Sequence, residues 1–349
     1  IPAGVQTLGK NQLRINKIMA LGYLGKNYLW AASPLMNLES TGSKTYNVEL
    51  AKKAADAFAE LLTLTESGAA PHKLIPFAQY NTNFYTVGQN FLIPGGTEAI
   101  FTGPYWGAHG STYGTAKQYT PAIVGADALV FSPTANYVNY YGMKNGLPIA
   151  SSSEADVAGS GYDPQTPWKD RDPRFYNDIV YDGVKVVQGT LAANMEQHRY
   201  ANLHTAGSYR DDRSGSRTGY MLYKFVPRTA NNFDQGWNYG QNLNIKVPYM
   251  RLADIYIMYA EAVTAGYQSA TASAPGFSKT GVDAINVIRD RAGVGHVAPQ
   301  FLSSADEFMK EVRRERAVEL SFEGHRFNDL RRWHLLAEVP YTLKTAAEF

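Results

Sequence analysis

The sequence of 349 residues contains no cysteine. This absence excludes disulfide bonds, thiolate metal sites and a cysteine nucleophile, but it does not indicate a compartment. The chain also has no long apolar run, because the longest candidate, residues 18–36, contains Lys26, Asn27 and Pro34. We therefore expect neither a transmembrane helix nor a signal peptide at the start of this sequence.

A strong excess of one charge is missing as well. The chain has 33 basic and 31 acidic residues, a net charge of +2 at pH 7, and its basic residues form no run longer than a pair. A nucleic-acid-binding protein needs a basic face or stripe. The composition therefore excludes nucleic acid as a partner and favours neutral or weakly charged ligands.

The sequence lacks the common catalytic motifs: HExxH, GxSxG and GxxxxGK[ST]. Glycoside hydrolysis requires two carboxylates across a cleft, and sequence spacing places no such pair. Asp163, Asp170 and Asp172 lie near Trp168 and could be oxygen ligands for a structural calcium ion, but their spacing matches no EF-hand. We predict no catalytic residue, no metal site and no cofactor.

Charge is concentrated in residues 307–333, where acids and arginines alternate. Glutamates recur every four residues from Glu311 to Glu323, and like charges at that spacing repel on a helix unless other side chains neutralise them. We expect one long helix that stops at Gly324 and is held to its neighbours by ion pairs. The predicted members of this network are Glu261, Arg289, Arg291, Glu315, Arg316, Glu319, Glu323 and Arg326.

Two helix pairs flank the middle of the chain. Apolar residues recur at helical spacing through residues 10–64, with an interruption at Ser33 and Pro34, and again in residues 251–266 and 281–292. Small residues in the first helix would let its partner approach closely: Ala20, Gly22 and Gly25. The pattern predicts a mainly α protein built on helix pairs.

The composition changes between the helix pairs. Glycine, proline, asparagine, serine, threonine and tyrosine dominate from about residue 70 to 247, with short strand-like segments at 98–101 and 178–181. A structureless connection of this length is improbable, so the insert is functional or ordered into short strands and turns. We divide the chain into an N-terminal helix pair (1–70), a loop-rich insert (71–247) and a C-terminal helical region (248–349).

Aromatic residues in this insert point to a ligand surface. The chain has 24 tyrosines and five tryptophans, and two clusters, at 105–113 and 231–239, set rings beside amide, carboxylate or imidazole groups. A flat ring stacks on the C–H face of a sugar while neighbouring polar groups bind its hydroxyls. The alternative is that single rings serve packing. The predicted substrate-binding residues are Tyr105, Trp106, His109, Tyr113, Asn232, Asp234, Trp237 and Tyr239.

Three segments resemble a known family. Residues 314–333, RERAVELSFEGHRFNDLRRW, are similar to the C-terminal signature of the SusD/RagB family, the nutrient-binding surface lipoproteins of Bacteroidetes. Residues 251–262 and 283–294 resemble the two helices that precede this signature, in the family's order. The match of three consecutive segments is more specific than any one of them.

The resemblance implies a tetratricopeptide-like helical scaffold and a function. It implies a non-catalytic lipoprotein at the outer face of the outer membrane, which delivers oligosaccharides to a SusC-like TonB-dependent transporter. Compared with the family, the chain is expected to be truncated at both ends, and the N-terminal lipid that would attach it to the membrane is not present in it. A RagB-like peptide-binding protein and a protein-interaction scaffold are alternatives, and exposure of Trp106 and Trp237 would separate the three.

Overall fold

The computed structural model describes residues 15–87, 96–102, 131–149, 159–210, 215–236 and 243–349. In these ranges helices α1 to α9 are Lys17–Ala32, Pro34–Thr41, Val48–Glu66, Ala135–Val138, Pro173–Asp178, Leu252–Tyr267, Gly281–Ala292, Ala305–Glu319 and Arg326–Arg332. Strands β1 to β6 are Tyr85–Val87, Ala99–Phe101, Ile179–Val180, Met221–Leu222, Leu243–Ile245 and Met250–Arg251. Short 3-10 helices are Phe77–Asn83, Asn139–Tyr141, Ala193–His198 and Pro299–Leu302.

Helices α1 and α3 pack closely, and glycine makes the contact possible. A Cβ on Gly25 would lie 2.5 Å from the ring of Phe58, and one on Gly22 would lie 2.6 Å from the sulfur of Met250. Both distances are shorter than van der Waals contact, so a larger residue would push α1 away from Phe58 of α3 or from Met250 of β6. The interruption predicted at Ser33 ends α1, but Pro34 then begins the additional helix α2, since proline suits the first position of a helix.

Helix α6 is the centre of the scaffold. Every residue from Leu252 to Gly266 is buried, as expected of a helix that has neighbours on all sides. Helices α3, α7 and α8 pack around it, and together they form the largest hydrophobic core. Side chains in this core include Phe58, Ile257, Ile285, Phe308 and Val312.

The prediction of one long charged helix that stops at Gly324 is wrong. Helix α8 ends at Glu319, and a turn with positive φ at Phe322 and Gly324 leads into α9. The physical reason is that side chains of distant segments take the carbonyl groups at this end of the helix. The Glu319 carbonyl oxygen accepts hydrogen bonds from Tyr80 and Arg251, which the helical pattern alone does not reveal.

Among the described residues, the strands of the insert and β6 pair into three two-stranded antiparallel sheets: β1 with β5, β2 with β6, and β3 with β4. Strand β6 runs directly into α6, and Leu252 N donates to the Glu98 carbonyl oxygen at 2.9 Å, so this sheet ties the insert to the scaffold. A second core of valine, leucine and tyrosine side chains lies within the insert. The predicted mainly helical fold with a strand-containing insert is confirmed.

Candidate functional site

Most of the predicted ligand residues lie outside the described residues. These are Tyr105, Trp106, His109, Tyr113, Trp237 and Tyr239. The structure places the other two, Asn232 and Asp234, in one loop of the insert, residues 228–236. We call this segment the 228–236 loop, and its geometry defines the described part of the candidate ligand surface.

Asn231 and Asp234 fold the 228–236 loop. The Asn231 side chain is buried; its Oδ1 accepts from Phe233 N at 2.9 Å and Asp234 N at 2.8 Å, and its Nδ2 donates to Asp234 Oδ2 at 2.7 Å. The Asp234 carboxylate also accepts from Gln188 N at 2.9 Å and Gly189 N at 2.7 Å. Asp234 therefore joins two loops, and these hydrogen bonds occupy the group that was predicted to bind a sugar.

Neutral amide side chains occupy the outer face of the same region. Asn232, Gln235 and Gln188 are exposed. The rings of Phe233 and His198 stack beside them, with centroids 6.1 Å apart and planes within 21°. This face offers amide donors and acceptors next to a ring surface, which is the chemistry that sugar hydroxyls and C–H faces require.

A buried ion network holds the insert on the scaffold, with Glu319 of α8 at its centre. The Glu319 carboxylate accepts from Arg251 at 2.7 Å and from Arg174 of the insert at 3.0 Å. Arg291 pairs with the same carboxylate. Arg251 also binds Glu98 at 2.6 Å. All of these side chains are nearly inaccessible to solvent, so their charges depend on one another for stabilisation.

Arg174 connects the insert to the middle of α8. It donates to Asp172 at 2.7 Å and pairs with Glu315, and Arg289 of α7 then links Glu315 at 2.9 Å with Glu311 at 2.7 Å. Glutamates that would repel one another along α8 are therefore each matched by arginines from other segments. Sequence analysis missed Arg174, although the preceding Asp-Pro pattern marks a helix start at which such a side chain could be buried.

Lys224 is a buried cation that sequence analysis also missed. Its Nζ donates to Ser321 O at 2.9 Å, Glu319 O at 3.2 Å and Glu323 Oε1 at 2.9 Å. These bonds satisfy the carbonyl groups where α8 ends. One cation from the insert thereby closes the turn that replaces the predicted helix continuation.

A second cluster joins α6, α8 and α9. Arg316 donates to Asp329 at 2.6 Å and pairs with Asp254, while Arg332 bridges Asp329 at 3.0 Å and Glu261 at 2.7 Å. Glu261 was predicted to belong to the ion-pair network of residues 307–333, and its direct partner there is Arg332 of α9. The arrangement fixes the signature helices relative to the core helix.

One of the eight predicted network residues, Arg326, lies outside both ion clusters. The other seven belong to the two clusters, but Arg326 forms no ion pair in the described part of the chain. Its guanidinium lies over the rings of Tyr140 and Tyr341, at 4.9 and 5.3 Å from their centroids. Arg326 begins α9, and its position there turns it away from the buried acids.

Two of the buried acids, Glu261 and Glu311, are ionised counter-ions. Burial disfavours the charge of Glu261, but Arg332 outweighs this effect and lowers its pKa to about 2. Burial is likewise outweighed at Glu311, where Arg314 and then Arg289 lower the pKa to about 2. A carboxyl group with so low a pKa has no proton to donate near neutral pH, so these acids suit structural pairing and not general-acid catalysis.

Two of the three aspartates considered for calcium, Asp163 and Asp172, have separate local partners. Asp172 binds Arg174, and Asp163 accepts from Gln165 N at 2.9 Å and Thr166 Oγ1 at 3.0 Å. Over the residues that the structure describes, no group of three histidine, cysteine, aspartate or glutamate side chains could hold a metal ion. Within the same residues, no helix is both long and apolar enough to cross a bilayer.

Comparison with known proteins adds independent information. A family model described as the SusD family matches residues 97–348. Among curated proteins, none matches the chain significantly.

Several solved structures share the fold. The chain is similar to the protein BT4246, with a TM-score of 0.64 and 21% identity over 97% of this chain and 63% of that one. It is also similar to a SusD-like carbohydrate binding protein from Bacteroides fragilis, with a TM-score of 0.56 and 20% identity over 96% and 55% of the two chains. A SusD superfamily protein from Parabacteroides distasonis is also similar, with a TM-score of 0.56 and 15% identity over 93% of this chain and 54% of that one. The chain therefore spans less than two thirds of the length of these relatives.

Proposed function

The chain belongs to the SusD family, and from this premise we propose that it binds oligosaccharides without cleaving them and delivers them to a SusC-like TonB-dependent transporter. A relative with the same fold, from Bacteroides fragilis, is named as a carbohydrate binding protein. The proposal places the protein at the outer face of the outer membrane, attached by a lipid. Family membership and the surface chemistry of the insert both support capture of oligosaccharides.

The outer face of the 228–236 loop supports a sugar as the ligand. Asn232 and Gln235 are exposed beside the stacked rings of Phe233 and His198, and the Gln235 amide also donates to Asn232 O. Asp234 holds this loop in place, so a ligand meets a surface that is already formed, which reduces the entropy lost on binding. The rings of Trp106 and Trp237 are proposed to extend the same surface.

Binding without turnover is supported by the ionised state of two buried acids. Glu261 and Glu311 have strongly lowered pKa values and arginine partners. Retaining or inverting hydrolysis requires one carboxyl group that stays protonated until it donates to the leaving oxygen. Acids used as counter-ions do not meet that requirement, which favours capture as the function.

Isothermal titration calorimetry of the full chain against a panel of plant, fungal and host oligosaccharides tests the proposal. We expect saturable binding of at least one glycan, with no change in its length after prolonged incubation. Trp106→Ala and Trp237→Ala are expected to weaken binding about tenfold, because each removes a stacking surface worth roughly 1 to 2 kcal/mol. Thermal unfolding of both variants should match that of the parent.

Tyr267→Ala is the matched control, because Tyr267 is a partly exposed ring on α6 of the scaffold. This variant should bind the glycan with unchanged affinity. Saturable binding of peptides with no response to any glycan would refute the ligand class and favour a peptide-binding protein. Release of shorter sugars during incubation would refute the non-catalytic assignment.

A further inference from the structure

A cavity lies against helix α9 of the signature region, away from the 228–236 loop in sequence. It has a volume of about 400 Å³ and is formed by helix α9, the segment around α4 and residues 336–344. Volumes of this size are typical of small-molecule sites. Its lining includes three tyrosines and two cations: Tyr137, Tyr140, Tyr341, Arg326 and Lys344.

Hydrogen bonds between distant segments form the wall of this cavity. Asn136 Nδ2 donates to Leu343 O at 2.8 Å, and Thr345 N donates to Asn136 Oδ1 at 3.1 Å. Tyr137 Oη donates to Ala317 O at 2.7 Å, which fixes one ring against the end of α8. The cavity is therefore built before any ligand arrives.

Arg326 differs from two other arginines of the signature, Arg316 and Arg332. Arg316 and Arg332 each bind two carboxylates, whereas Arg326 has no ion pair in the residues that the structure describes. Tyr140 and Tyr341 hold its guanidinium through contacts with their ring faces. These contacts orient the cation but leave its charge without an anionic partner, so it can accept a carboxylate from a ligand.

Lys344 adds a second positive charge to the same cavity. Its Nζ donates to the carbonyl oxygens of Tyr341 at 3.1 Å and Leu343 at 3.2 Å. Carbonyl groups hold the ammonium in position without neutralising it. Two cations that lack acidic partners among the described residues thus lie beside tyrosine rings and the hydroxyl groups of Thr134 and Thr342.

Building on the proposed glycan-binding function, we propose that this cavity binds an acidic sugar residue, a hexuronate, within a longer oligosaccharide. Its carboxylate pairs with Arg326 and Lys344, and its C–H face lies against the tyrosine rings. The threonine hydroxyls supply partners for the remaining sugar hydroxyls. The site would add selectivity for acidic glycans to the general capture of sugars by the insert.

Calorimetry with a matched pair of ligands tests this site: an oligosaccharide that contains glucuronate and the same oligosaccharide with glucose in its place. We expect the acidic ligand to bind about tenfold or more tightly, because a charge-assisted hydrogen bond is lost in the neutral one. Its affinity should fall as salt is raised. Arg326→Gln should remove this preference, so that the acidic ligand binds no more tightly than the neutral one.

Lys344→Gln provides a second variant, because Lys344 is exposed and its replacement does not affect the core. It should reduce the preference severalfold. Arg331→Gln is the control, since Arg331 is an exposed arginine on the same helix that does not line this cavity. It should retain the full preference. Thermal unfolding of each variant verifies that the fold is intact.

The outcomes separate this site from the general function. Equal affinity for the two ligands, or a preference that survives Arg326→Gln and Lys344→Gln, would overturn the acidic-sugar site while glycan binding stands. Arg326-dependent binding of a glutamate-rich peptide, with no response to the uronate ligand, would overturn it in favour of a protein partner. If no glycan of either kind binds, the proposed function itself fails.

Discussion

Polar side chains have opposite roles in two regions of the molecule: the junction between the insert and the scaffold, and the 228–236 loop. At the junction, Glu319 and Arg251 are almost completely buried, and each binds several oppositely charged groups. In the loop, one carboxylate holds backbone amides, while the side chains of Asn232 and Gln235 are exposed. Charge therefore serves positioning, and neutral polar groups are left available for a ligand.

The difference follows from the energetics of burial. A charged group removed from water is destabilising unless partners compensate for its lost hydration, so each buried acid at the junction requires its arginines. A neutral amide on the surface keeps its hydration at little cost and can exchange water for a sugar hydroxyl. Sequence separation differs too: Arg251 and Glu98 are 153 residues apart, whereas Asn231 and Asp234 are three apart.

Acidification should produce the largest effect, because it removes charge from the buried acids of both ion clusters. The folded-state pKa values of Glu261 and Glu311, about 2, lie below the unfolded value of about 4.3. Their stabilisation is therefore complete above the unfolded pKa and is lost as pH falls toward 2, by several kcal/mol in total. Urea unfolding from pH 7 to pH 3 measures this. A free energy of unfolding that stays constant below pH 5 would contradict the assigned role of the network.

Glu319→Gln should have the next largest effect. It removes the shared partner of Arg251, Arg174 and Arg291, and an uncompensated buried charge is expected to lower the free energy of unfolding by about 3 to 5 kcal/mol. Glu307→Gln is the control on the same helix, since Glu307 pairs with Lys310 near the surface and should lose less than about 1 kcal/mol. Equal losses in the two variants would show that the junction has no special role.

Asp234→Ala tests how the loop is held. The amides of Gln188 and Gly189 lose their acceptor, and we expect a local loss of about 1 to 2 kcal/mol. Hydrogen exchange of these two amides should accelerate, while exchange in α6 stays slow. Unchanged protection at Gln188 and Gly189 would mean that the loop keeps its shape without Asp234.

Asn232→Ala should have the smallest effect on stability, within about 0.5 kcal/mol, because the side chain is exposed. The affinity of this variant for a glycan should fall about threefold to tenfold, as expected for the loss of one neutral hydrogen bond. Asn328→Ala, an exposed asparagine on α9, is the control and should bind normally. An equal loss of affinity in both variants would remove the 228–236 loop from the ligand surface.

Much of the fold could be predicted, because helix-forming patterns are local. The structure contains the features that local patterns predicted: the helix end at Ser33, close packing at Gly22 and Gly25, and strands in the two strand-like segments. The position at which α8 ends could not be predicted, since Lys224 and Arg251 determine it from other segments. For the candidate site, residue type suggested Asp234, but its backbone partners at Gln188 and Gly189 depend on the folded arrangement of two loops.

The sequence by itself determined the helical class, the resemblance of the signature and the need to neutralise its charges. Only the tertiary structure decided which cation meets which acid, and therefore that Arg326 stays outside the network while Arg174 and Lys224 enter it. The physical reason is range. Helical periodicity acts over one or two turns, but the pairing of buried charges depends on contacts between segments that are far apart in sequence and meet only in the packed protein.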